Sequence, residues 1–99
     1  MTRDEILNIP PGEEMDTLIE KRVMHKGYVF NLVYPSYSTN IAEAWEVVEK
    51  MMSAGYIAVR WGSLSNTWSC FINPLAQAIA DTAPLAICRA ALLAVMEDK

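Results

Sequence analysis

Apolar residues recur along this 99-residue chain with two different periods, and the switches between them mark out the elements. Thr2-Arg-Asp-Glu5 fits a capping box, which opens a short helix that must end before Pro10-Pro11. Met15, Leu18, Ile19 and Val23 repeat at helical spacing and predict a second helix, restarting near Gly12. Glu13, Glu14 and Asp16 lie in its first turn, while Lys21, Arg22, His25 and Lys26 gather at its C-terminal end, as the helix dipole favours; Gly27 is its stop. Tyr28-Val-Phe-Asn-Leu-Val-Tyr34 is β-branched and aromatic and predicts a strand, followed by a loop over Pro35–Ser38. Ser38, Thr39 or Asn40 caps a third helix with a broad apolar face of Ile41, Ala44, Trp45, Val48, Met51 and Met52, closed by Gly55.

The period then drops to two. Ile57, Val59 and Trp61 share one face of a strand over Tyr56–Trp61, with Tyr56, Ala58 and Arg60 on the other. Gly62–Asn66 is a turn, and Thr67–Ile72 returns with Trp68, Cys70 and Ile72 facing one way, so the pair predicts an antiparallel hairpin. Leu75–Ala80 fits either a short edge strand or an irregular approach to the last helix. That helix is capped by Asp81 or Thr82, has Pro84 in its first turn, and carries a stripe of Leu85, Cys88, Leu92 and Val95. The resulting order, helices interleaved with a mainly antiparallel sheet, predicts one α+β domain over residues 1–99. The expected architecture is a three-layer α/β/α sandwich with a small sheet and with Trp45 and the Leu85 stripe in its core.

Composition changes this picture mainly by exclusion. The net charge is −4 and the eight Lys and Arg are scattered, so duplex nucleic acid is not an expected partner. No apolar run is long enough for a transmembrane helix, and the charged N-terminus lacks the apolar segment of a signal peptide. Cys70 and Cys88 sit within apolar patterns, as expected for buried, reduced thiols of a cytoplasmic protein. One histidine and no Cys-x-x-Cys leave no expected metal site, and nothing in the sequence calls for a cofactor. Six methionines and three tryptophans exceed what one small core readily covers, which points to a homo-oligomer.

Two longer segments carry a resemblance. Tyr37-Ser-Thr-Asn-Ile-Ala-Glu-Ala-Trp-Glu-Val-Val-Glu-Lys-Met51 and Ala80-Asp-Thr-Ala-Pro-Leu-Ala-Ile-Cys-Arg-Ala-Ala-Leu-Leu-Ala94 are similar to the phage ABA sandwich domain, as are the Thr2–Glu5 start and Lys21-Arg-Val-Met24. The likeness spans most of the chain and is weakest over residues 27–34 and 61–79. Where this chain has Asn40, the family commonly has aspartate, so the cap is kept and a charge is lost. The resemblance implies a phage or prophage protein with α/β/α layering. It brings no catalytic residues that could be carried over.

The residues themselves assemble no catalytic set. His25 is the lone histidine, neither cysteine has an evident base, and Glu43, Glu46 and Glu49 lie along the polar side of the third helix. The expectation is therefore a non-enzymatic accessory protein. A binding site is easier to compose. Tyr37, Ser38, Thr39 and Asn40 lead into a helix N-terminus that suits an anion, Arg60 suits a phosphate, and Tyr37 or Trp68 could stack on a base. By analogy with compact phage proteins that sequester nucleotide-type immune signals, the ligand expected is a phosphate-containing nucleotide. The alternative is a protein-interaction module that inhibits a host protein or joins phage assembly.

Overall fold

The computed structural model describes residues 2–24, 35–52, 57–73 and 76–97. The expected strand at 28–34 lies outside these. Among the described residues the order is α1 (Arg3–Asn8), α2 (Glu13–Ile19) running on into a π-helical turn (Glu20–Met24), α3 (Ile41–Met51), β1 (Ala58–Gly62), β2 (Thr67–Asn73), β3 (Ala76–Ala80) and α4 (Ala83–Glu97). The class is α+β, with a three-stranded antiparallel sheet in the order β1-β2-β3.

Local rules account for the ends of these elements. The Thr2 hydroxyl accepts from the Glu5 amide at 3.2 Å, and Glu5 Oε1 accepts from the Thr2 amide at 2.8 Å. The Thr2 amide, and after it the Thr2 hydroxyl, stabilise the charged Glu5 carboxylate and lower it from its ordinary value. Asn40 is the cap of α3, its Oδ1 accepting from the amides of Ala42 and Glu43 at 2.9 and 3.2 Å. At α4, Thr82 fills that role: its Oγ1 lies 3.4 Å from the Leu85 amide and its carbonyl accepts from Ala86 at 3.1 Å. In the hairpin turn Asn66 takes φ = 59°, a left-handed conformation that asparagine tolerates, and its amide donates to the Gly62 carbonyl.

Leu75–Ala80, open to two readings in the sequence, contains a strand. β3 pairs with β2, turning Ala76, Ala78 and Ala80 inward and leaving Gln77 and Ile79 exposed. Two arginines from separate helices bond carbonyls of this strand, Arg3 to Gln77 at 3.3 Å and Arg89 to Ile79 at 3.1 Å. Charged side chains placed along an edge are one way a sheet resists pairing with another chain.

α4 is the organising element. It packs on β2 and β3, and α1, α2, the π-helical turn and α3 pack on it in turn. Alanines make this possible: Ala83, Ala86, Ala90, Ala91 and Ala94 are all buried, so neighbours approach its backbone closely. The expected stripe of Leu85, Cys88 and Leu92 is buried, with Val95 half-buried, but Ile87 and Leu93 on other faces are buried too. A helix apolar all round belongs in an interior, which a stripe alone does not convey.

Trp45 departs from expectation. It was expected in the core and is 52% exposed, as are Ile41 at 54% and Met52 at 63%. α3 has more apolar residues than one contact can cover. Ala44, Val47, Val48 and Met51 take the buried side, and a second stripe at 41, 45 and 52 is left facing out.

Candidate functional site

The six residues expected to bind a ligand are divided among different environments. Tyr37 and Ser38 lie in the interior, each 0% exposed. The Tyr37 hydroxyl donates to Glu20 Oε1 at 2.9 Å, so its ring cannot serve as a platform for a ligand. Ser38 joins a buried network. Its amide and hydroxyl both donate to Asp16 Oδ1, at 2.8 and 2.7 Å, and its Oγ accepts from the Gly12 amide at 2.8 Å. Thr39 and Asn40 are exposed, but Asn40 Oδ1 takes the amides of Ala42 and Glu43, and the Ala44 amide bonds the Asn40 carbonyl. The Glu43 carboxylate accepts from the Ser36 amide at the same place. The amides of Ser38, Ala42, Glu43 and Ala44 are thus engaged within the protein, with a carboxylate beside them, an arrangement that does not favour an anion there.

Arg60 is exposed on β1, where its neighbour across the sheet is Ser69 and its side chain points away from the face that carries Val59. Trp68 stands opposite Trp61 with ring centroids 5.4 Å apart and planes tilted by 50°. Of the six, only Trp68 lines an open groove of about 920 Å³.

That groove lies between α3 and the sheet and is bounded by the start of α4. Its walls are Ile41, Trp45, Val48 and Met52 from α3, Ile57 and Val59 leading into and along β1, Trp68 from β2, and Ala83, Pro84 and Ile87 from α4. Asp81 and Thr82 supply the polar rim. The arrangement suits burial of a flat or branched apolar group between two indoles. Sequence reasoning assigned Trp45 to the core and so missed this wall. The signal present was the excess of Met and Trp over what one core covers.

Two features bear on reactivity. Cys70 and Cys88 are free and buried; desolvation pushes the Cys70 thiol up to about 12 and raises Cys88 as well, aided there by Asp16 and Cys70. Neither is poised as a thiolate nucleophile. Among the described residues no group of His, Cys, Asp and Glu is disposed to hold a metal ion, and no helix is long and apolar enough to cross a membrane.

The raised groups predict an alkaline limit. Burial, and then the bond to Glu20, raise the Tyr37 hydroxyl, so the folded state holds that proton and the Cys70 proton more tightly than the unfolded chain does. Stabilisation from such groups is complete below the unfolded values, about 8.5 for cysteine and 10 for tyrosine, and is lost as pH rises above them. Unfolding free energy from urea titrations should therefore fall from about pH 9 upward, less steeply in Cys70→Ala. A flat profile to about pH 11 would refute this.

A model of the phage ABA sandwich domain matches residues 5–92. The chain belongs to the phage ABA sandwich domain family. A 2.0 Å crystal structure of a phage protein from Bacillus cereus ATCC 14579 superposes on this ABA sandwich domain with a TM-score of 0.66 and 29% identity, covering 87% of this chain and 93% of the other. No curated protein matches the chain. The family brings the layered α+β fold and a phage setting to this ABA sandwich domain, and the chemistry of the groove has to be argued from its own residues.

Proposed function

We propose that this phage protein acts by binding without turnover, and that it seats a small ligand with a flat apolar group in the groove between α3 and the sheet. The observation that carries this is the pair of tryptophans, Trp45 half-exposed and Trp68 half-buried, lining one open apolar groove. Stable folding alone does not require an indole to be left half in water, whereas stacking on a ligand does use it. A nucleotide-type host signal held as by a sponge is one form of this reading. Its base would stack on the indoles, and its phosphates would extend from the groove into solvent.

Tryptophan-fluorescence titrations with nucleosides, cyclic nucleotides and ADP-ribose derivatives test the reading. Saturable quenching is expected, with a roughly tenfold or greater loss of affinity in Trp45→Ala, because stacking contributes about 1–3 kcal/mol per base. No spectral change and no thermal shift across nucleotides and neutral aromatic compounds would refute it.

The exposed stripe of Ile41, Trp45 and Met52 favours a second reading, a protein-interaction module whose partner lays an apolar helix along α3. A homo-oligomer that covers the same stripe is its self-associating form. Co-purification of a host or phage protein, lost in Trp45→Ala and Met52→Ala, would favour it over the small ligand; light scattering across a dilution series reads the oligomer directly.

A further inference from the structure

We infer that the groove selects a ligand that joins its aromatic or branched apolar group to a positive charge, such as an aryl-alkyl ammonium; this rests on the binding reading above and narrows it to cationic ligands, against its nucleotide form. Charge around the groove carries the inference. Among the described residues of its lining, Asp81 is the one ionisable group, and it is exposed. On α3, Glu49 is exposed and follows Trp45 by four residues and precedes Met52 by three, so it borders the same stripe. Lys50, one position on, is rotated to the far side of that stripe.

Neither nearby arginine reverses this field. Arg60 lies on the strand face opposite Val59. Arg89 feels Asp81 and lines a neighbouring cavity that Asp81 also borders, but its guanidinium is turned to the carbonyls of Ile79 and Ile9 and does not line the groove. Indole faces add to the preference, because the ring quadrupole attracts cations and repels anions. An ammonium over Trp45 or Trp68 with Asp81 at the rim meets negative potential on each side. A carboxylate or phosphate in the same place meets Asp81, Glu49 and two π-faces, and no cation among the described residues of the lining answers it.

Three probes that share one ring and carry a one-carbon polar group of different charge test this: 2-naphthylmethylamine, 2-naphthylmethanol and 2-naphthoate, titrated by calorimetry at low salt near pH 7. The expected order is ammonium over alcohol by roughly fivefold, with the carboxylate weakest. Asp81→Asn and Glu49→Gln, both at exposed positions, should each lower ammonium affinity toward that of the alcohol, by more than either changes the alcohol's own affinity. A carboxylate that binds as well as the ammonium, or a preference unmoved in the Asp81→Asn/Glu49→Gln double variant, would overturn the inference while groove binding stands. If none of the three binds and the nucleotide panel is also silent, the binding reading falls with it.

Discussion

Leu92→Ala and Leu93→Ala are each expected to destabilise the protein by about 3 kcal/mol, within the range for truncating a fully buried leucine. The two side chains are adjacent in sequence and so point about 100° apart around α4. A surface helix buries both of such a pair only where its apolar arc is about 100° wide, as Val47 and Val48 show on α3; Leu85, Cys88 and Leu92 already fill one arc of α4, and Leu93 lies outside it. Here Leu92 is 2% and Leu93 0% exposed, because α4 is covered by the sheet on one flank and by the other helices elsewhere. Neither site can collapse easily. The neighbouring positions 90, 91 and 94 are already alanine, and a methyl group cannot swing into the space. Urea unfolding should show both midpoints lowered by similar amounts with unchanged slopes, whereas Val95→Ala, at a half-buried position, should cost less. If Leu93→Ala proves near neutral while Leu92→Ala does not, α4 is a one-sided helix and its central place in the fold is wrong.

This contrast explains why some of the molecule could be read from the sequence and some could not. Caps depend on residues a few positions apart, so Thr2 with Glu5 and Asn40 before α3 were recognisable from local chemistry, and the structure forms both. The β1–β2 hairpin likewise follows from alternation and a short turn. How many neighbours surround a helix is a tertiary quantity. The stripe on α4 gave one buried face and could not give the others. On α3 the reverse happened: apolar residues on a wide arc exceeded the available partners, and Trp45 was left facing out. The candidate site suffered most. Tyr37 and Ser38 have the chemistry of a ligand loop, but buried carboxylates four residues apart on α2 and its π-helical continuation, Asp16 and Glu20, had already engaged them. Their position between Met15, Ile19 and Val23, on the buried side of that helix, was the one local hint.

Asp16→Ala should therefore be among the most damaging polar substitutions, costing about 2–3 kcal/mol. One carboxylate oxygen, Asp16 Oδ1, receives both the amide and the hydroxyl of Ser38, and Asp16 itself is 7% exposed. Removing it leaves the Ser38 amide inside the protein without that acceptor, and water cannot readily replace it at so buried a place. Ser38 Oγ also accepts from the Gly12 amide, so the loop before α3 is tied through Ser38 to the start of α2. Gly12 is held at φ = 137° and ψ = −156°, a conformation that side-chain-bearing residues avoid, and the tie to Ser38 helps keep it there. A double-mutant cycle separates the shared bond from the rest. Asp16→Ala and Ser38→Ala should be less than additive by about 1–2 kcal/mol, because each alone already breaks the hydroxyl–carboxylate bond. Asp16→Asn keeps an acceptor of the same shape and should recover part of the loss. Strict additivity in the cycle, or full stability in Asp16→Ala, would mean that the network follows from the fold without contributing to it.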